Sequence, residues 1–279
     1  MVYNITIKQK EENMKYRLIA TDMDGTLLQP DDTISTATLK VIEKAREKGV
    51  VFTLSTGRPV QGVKKYIDLL GLDCPVITYN GAVVVHSGTG DILFSQEMDK
   101  EDARLVYNLA LEKGVMFILW SKNRLYASEL GEKSAFYEQI TSTKANLLTD
   151  FDSLLERGIT KFLWYDEPEI LDEYIEQLKH SHLKDTTFIK SRAYFMEFFS
   201  AQTSKAVALA KLGEYYGISQ QEIIAIGDQT NDLSMIEYAG LGVAMGNGVD
   251  RVKNAADYVT ASNTEDGVAK VIEKFVLEG

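Results

Sequence analysis

Cysteine is nearly absent from this chain of 279 residues: Cys74 stands alone. A single thiol excludes an intrachain disulfide and fits a reducing, cytoplasmic setting. Its apolar neighbours Pro75 and Val76 mark it as a structural thiol rather than a reactive one. No apolar run approaches the ~18 residues that span a bilayer. The opening MVYNITIKQKEEN has neither the apolar stretch nor the cleavage site of a signal peptide, so no membrane partner is expected. Positive charge is in deficit, with 30 Lys and Arg against 41 Asp and Glu and a net charge of −11, which disfavours nucleic acid as a partner. A Gly-Lys-Ser/Thr phosphate loop is missing, which excludes nucleotide hydrolases of that class. His86, His180 and His182 have no cysteine partners, and the pair at 180 and 182 ends a charged helical pattern, the mark of a surface rather than a zinc site. The glycines of GLGVAMG, Gly240 to Gly246, lack the Gly-x-Gly-x-x-Gly spacing of a dinucleotide loop, and the first two precede their strand.

What is present is ordinary globular composition, 45% hydrophobic and 25% charged, enough for a sizeable core. Residues 1–13 read as a polar extension ahead of Met14. From Met14 to about Val85 apolar strands alternate with amphipathic helices: LIAT, a helix opened by Ser35 and closed by Gly49, VVFTLST, a helix after Pro59, and PVITYNG. This is the grammar of a doubly wound α/β domain. Between about Val85 and Ser200 the pattern changes to short aromatic-rich strands (DILFSQEM, VMFILW, NRLYAS, KFLWYD, TTFIKS, YFMEFF) without regular helical alternation, which predicts an α+β block over residues 86–200. Trp120 and Trp164 fall in these strands, where packing is the default. The first grammar resumes over 201–279, so residues 14–85 and 201–279 form one parallel-sheet, Rossmann-like core with an α+β domain inserted into it.

Polar residues gather at the ends of the core strands, where open α/β sheets bind ligands. Asp22 and Asp24 follow LIAT; in a continuing strand, residues two apart share a face, so the two carboxylates would converge and call for a cation between them. Alone, Asp-x-Asp-Gly is far more often plain turn chemistry. Ser55, Thr56 and the Gly57 amide offer donors for an anionic oxygen at the end of the second strand. Lys205 stands in the first turn of a helix capped by Thr203 or Ser204, where a cation opposes the helix dipole unless an anion is held with it; taken alone, the position reads as an exposed surface lysine. Asp228, Asn231 and Asp232 follow the apolar strand EIIAIG, and hard oxygen ligands there suit Mg²⁺. A strand order of 3-2-1-4-5 brings the ends of strands one and four together, and Asp22 with Asp228.

Taken in order, DMDGTL, LSTGR, Lys205 and GDQTND, with the insertion between the third strand and the lysine, resemble the four motifs of the haloacid dehalogenase-like superfamily, and within it the Cof-type sugar-phosphate phosphatases. Ala206 stands where that family often has glycine. The resemblance implies a Mg²⁺-dependent phosphoric monoester hydrolase of the cytoplasm acting on small phosphorylated metabolites, sugar phosphates foremost, through an aspartyl-phosphate. By the same resemblance Asp22 is the nucleophile and Asp24 the acid and base. Thr56, Gly57, Lys205 and Asn231 hold the phosphoryl group; Asp22, the Asp24 backbone carbonyl and Asp228 hold the metal; Asp232 orients a metal-bound water. The inserted domain is the cap that selects substrate. A phosphomutase of the same fold, or a non-catalytic relative that binds a phosphometabolite, is the alternative. No motif specifies an oligomeric state.

Overall fold

The computed structural model describes residues 14–179 and 183–278. The expected extension over 1–13 and the reading of His180 and His182 lie outside the described residues. The chain divides into two compact units, one made of the described parts of residues 1–57, 64–94 and 204–279, the other of residues 58–63 and 95–203.

In the first unit β1 (Leu18–Thr21) is buried along its whole length, as a central parallel strand covered on both faces must be. Helix α1 (Thr36–Glu47) starts at Ser35, whose hydroxyl accepts the Thr38 amide, and buries Val41, Ile42 and Ala45. Then follow β2 (Val51–Leu54), α2 (Val60–Leu70) and β3 (Pro75–Thr78). The turn Tyr79–Gly81 folds the chain back into β4 (Val83–His86), antiparallel to β3, and β5 (Ile92–Ser95) completes a three-stranded sheet. The sequence DILF was expected among the strands of the inserted block; it pairs instead with the β3–β4 hairpin, because hairpin partners are set by neighbours in space rather than by aromatic content. Cys74, half-buried, donates its thiol to the Phe52 carbonyl at 3.4 Å, and burial pushes that thiol up to about 12, so it is a packing group.

The second unit runs through α3 (Lys100–Lys113), β6 (Met116–Ser121), β7 (Arg124–Ala127), α4 (Glu132–Thr141), β8 (Ala145–Leu147), α5 (Phe151–Arg157), β9 (Lys161–Tyr165), α6 (Pro168–Leu178), β10 (Thr186–Arg192) and β11 (Phe195–Ser200). Its six strands stand in the order β10-β11-β9-β6-β7-β8, antiparallel except for β7–β8. Alternation along the strands sends Phe117, Leu119, Phe162, Trp164, Met196 and Phe198 to one core together with Val106, Phe151 and Leu155. Trp164 packs 4.9 Å from Phe198, and Trp120 donates its indole N–H to the Tyr137 hydroxyl at 3.2 Å. Both tryptophans are therefore packing residues of an α+β fold.

The chain re-enters the first unit with α7 (Lys205–Tyr216), capped by Ser204, followed by β12 (Ile223–Gly227), α8 (Leu233–Tyr238), β13 (Leu241–Ala244), α9 (Asp250–Ala255), β14 (Tyr258–Val259) and α10 (Gly267–Ile272). The parallel sheet has the order β14-β13-β12-β1-β2, and a single parallel bridge, Ser55 to Ile77, attaches β3 beyond β2. Strand order thus reverses between β1 and β12, which pair from Leu18↔Ile223 to Thr21↔Ile226. The ends of these two strands form the switch point of a doubly wound sheet. Among the described residues no helix is long and apolar enough to cross a membrane.

The glycines of GLGVAMG serve packing. A Cβ on Gly242 would lie 2.2 Å from the Ile236 carbonyl oxygen, and one on Gly240 2.4 Å from that of Gln221. Replacing Gly242 with Ala forces α8 off the sheet and should destabilise the fold by about 1–3 kcal/mol. Urea unfolding checks this; an unshifted midpoint would show that α8 yields freely.

Candidate active site

The strand β1 ends at Thr21, one residue before the first acid. The Asp22 N–H still donates to the Ile226 carbonyl at 2.9 Å, and from Met23 onward the backbone turns. Asp22 is buried and Asp24 is exposed. Strand periodicity carries no further here, because a period of two applies only while the strand continues. Gly25 makes the turn at φ +83°, and a Cβ there would meet Asp228 Oδ2 at 2.5 Å. Glycine is required both by the left-handed backbone and by the acid packed against it. Thr26 donates to Asp228 Oδ1 at 2.9 Å, and Gln229 Nε2 donates to Oδ2 at 2.9 Å. Asn247, which sequence reasoning did not single out, donates to the Gly25 carbonyl at 2.7 Å.

Lys205 is fully buried at the start of α7, after its cap Ser204. Its ammonium donates to Asp22 Oδ1 at 2.6 Å, to Asp232 Oδ1 at 2.6 Å and to the Ser55 carbonyl at 2.8 Å. One side chain so joins the ends of β1 and β2 and the turn after β12. Asp232 Oδ2 accepts the backbone amides of Asp228 and Gln229, each at 2.9 Å, so this carboxylate is committed to organising its loop and Lys205. Asp22 Oδ2 accepts no hydrogen bond from the described residues.

Charge is unbalanced here. Asp22, Asp228 and Asp232 present ligand oxygens within 4.8 Å of one another, and Lys205 is the ammonium bonded among them. Burial pushes the Asp22 carboxyl up to about 8, with Lys205 pulling against the rise and Asp232 and Asp228 adding to it. Burial also raises Asp228, against the hydrogen bonds from Gln229 and Thr26. For Lys205, burial favours the neutral amine, but the Asp22 and Asp232 carboxylates outweigh it and hold the ammonium above its ordinary range. An all-oxygen acidic set with excess negative charge and an uncommitted Asp22 oxygen fits a hard divalent cation.

The remaining predicted residues sit at neighbouring strand ends. Thr56 is buried, and its N–H donates to Ile77 across the gap between β2 and β3. Asn231 is exposed in the short turn Thr230–Asp232, with its Nδ2 3.0 Å from Asn80 Oδ1. Sequence reasoning assigned no role to Asn80, which with Gly81 ends PVITYNG. Its side chain lies against Gly57, where a Cβ would meet Asn80 Oδ1 at 2.9 Å. A signal existed in the Asn-Gly pair at a strand end, but that pair is common enough to carry no functional weight unaided.

The family model for haloacid dehalogenase-like hydrolases matches residues 19–272, from β1 to the end of α10. The chain belongs to that family. Several relatives within it share nearly the full length. YxeH of Bacillus subtilis, provisionally named a phosphatase, is 34% identical over 94% of this chain and 99% of its own. A second B. subtilis protein, 5-amino-6-(5-phospho-D-ribitylamino)uracil phosphatase YitU, is 33% identical over 92% of this chain and 97% of its own. Among solved structures, TM0651 from Thermotoga maritima superposes with a TM-score of 0.84 at 30% identity, covering 93% of this chain and 97% of the other.

The charge surplus in this haloacid dehalogenase-like core has a measurable sign. A carboxyl whose pKa is raised by folding contributes its full stability below its unfolded pKa of ~4 and loses it as pH climbs through the folded value. For Asp22 that window closes at about 8. In chelator, the melting midpoint should fall as pH rises across this window, and Asp22→Asn should flatten the fall. An equally steep fall in the variant would place the titrating group elsewhere.

Proposed function

We propose that the protein is a Mg²⁺-dependent phosphatase of small phosphorylated metabolites, sugar phosphates foremost, working through a phosphorylated Asp22. The observation that carries this reading is the buried Lys205 held between Asp22 and Asp232 at the switch point, with Asp228 beside them. The named relative YitU acts on a phosphate ester of a ribityl chain, which supports a polyol or sugar phosphate as the substrate class. The lone Cys74 supports a reducing, cytoplasmic setting.

A phosphate monoester resists attack because its oxygens are anionic, so catalysis requires charge neutralisation and a positioned nucleophile. Asp22 attacks phosphorus, an Asp22–phosphorus bond forms, and the bond to the leaving oxygen breaks. Asp24, exposed and two residues further along the chain, gives its proton to the departing alkoxide. Water then attacks the phosphorus of the Asp22 ester, Asp24 takes the water's proton, and inorganic phosphate leaves with Asp22 restored. Lys205 stays within reach of Asp22 throughout and, with Thr56, the Gly57 amide and Asn231, receives the phosphoryl oxygens. Asp22, the Asp24 carbonyl and Asp228 would hold the cation, which when bound neutralises the acidic cluster, keeps Asp22 ionised and draws charge from the phosphoryl oxygens. Asp232 holds Lys205 and the loop that carries Asp228.

Phosphate release from a panel of sugar and polyol phosphates should be seen with Mg²⁺ and lost in excess chelator. Asp22→Asn should leave a folded protein without turnover; substantial hydrolysis by it rules out the covalent step. Asp24→Asn should slow a sugar phosphate by a factor of 10² to 10⁴, the scale of general acid catalysis. It should slow a nitrophenyl ester much less, since that leaving group needs no proton. Equal losses on both count against the acid role of Asp24.

A further inference from the structure

Three consecutive residues after β3, Tyr79, Asn80 and Gly81, hold positive φ angles of 52°, 56° and 100°. Outside glycine this conformation is costly, and a run of it persists only where the surroundings impose it. Here the surroundings are the catalytic elements. The Asn80 N–H donates to the Thr56 carbonyl at 2.9 Å, which fixes the end of β2. The Asn80 side chain lies against Gly57, and its Oδ1 accepts the Asn231 amide at 3.0 Å. Gly81 lets α7 approach: a Cβ there would lie 2.2 Å from the Ser204 carbonyl oxygen and 2.9 Å from the Lys205 nitrogen.

We infer that Asn80 is a positioning residue for phosphoryl transfer, acting through Asn231 and the Thr56–Gly57 turn. The inference rests on the reading of the site as a phosphatase. An amide NH₂ has two hydrogens. With one given to Asn80 Oδ1, the rotation of Asn231 is fixed and its second N–H is aimed in one direction. Asn231 is exposed in the middle of the short turn Thr230–Asp232, so its own packing gives it little reason to hold one rotamer. Asparagine suits position 80 because it combines tolerance of the left-handed backbone with a side-chain acceptor of that reach. Gly57 is confined by the same contact, since any larger residue would displace the Asn80 amide.

The test separates side chain from backbone. Asn80→Gly keeps the left-handed turn and removes the acceptor. It should lower kcat on a sugar phosphate roughly 10-fold to 100-fold, the range for partners that orient a site's ligands, with KM changed much less. It should weaken inhibition by orthovanadate, which mimics the five-coordinate phosphoryl group, by the factor lost in kcat/KM. In an Asn231→Ala background, Asn80→Gly should cost little more, because the two residues act as one unit. Asn80→Asp, which retains an acceptor and tolerance of positive φ, should restore the dependence on Asn231: adding Asn231→Ala should cost as much there as in the unaltered protein. Wild-type rates for Asn80→Gly, or losses that multiply in full with those of Asn231→Ala, would overturn the inference while leaving the phosphatase reading intact. Turnover by Asp22→Asn would instead remove the phosphatase reading, whatever Asn80 does.

Discussion

A lysine ammonium with no solvent exposure is the constraint on which this active-site architecture depends. A charge taken out of water must be paired and hydrogen-bonded, and removing one partner of such a pair typically costs ~3–5 kcal/mol. Lys205 meets this requirement with two carboxylates and a carbonyl that belong to three separate strand ends. The residues at 22, 55, 205 and 232 are therefore held together by a demand of folding as well as of chemistry. The arrangement leaves more negative charge than Lys205 can offset. Three buried acids around one base make a set that could hold a further cation.

Much of this was legible in the sequence because parallel sheets write themselves plainly. Short apolar runs separated by capped helices gave the strands, and polar residues directly after those runs fell at one edge of the sheet, with Asp22, Lys205, Asp228 and Asp232 brought together there. Local rules failed where the chain left regular structure. Alternation could not say that β1 stops at Thr21, nor that Asp22 is buried and Asp24 exposed. Loop hydrogen bonding could not be read at all: the two backbone amides that claim Asp232, and the contact of Asn80 with Asn231, depend on turns whose shape is set in three dimensions. The strand Ile92–Ser95 was mislaid for a similar reason, as its sequence states a preference for a sheet without stating which one.

Glycine shows the same division between local and tertiary causes. Gly25 and Gly81 adopt backbone that other residues resist, and each also stands where a side chain would strike an element of the candidate site, Asp228 in one case and the start of α7 in the other. The second unit contrasts with this. Its aromatic strands spend their alternating positions on a core of Phe117, Phe162, Trp164 and Phe198, and its buried Lys161 is matched by Glu197 at 3.1 Å. Such residues pack a core and form an internal ion pair.

The most direct measurement is the chemical trapping of Asp22 during turnover. The protein would be mixed with Mg²⁺ and a phosphate ester radiolabelled in its phosphoryl group, quenched in acid within the first turnover, digested and mapped. The account predicts label on the peptide that contains Asp22, lost on chase with unlabelled substrate and absent from Asp22→Asn. Rapid phosphate release with no labelled peptide, or label on a peptide that lacks Asp22, would contradict it.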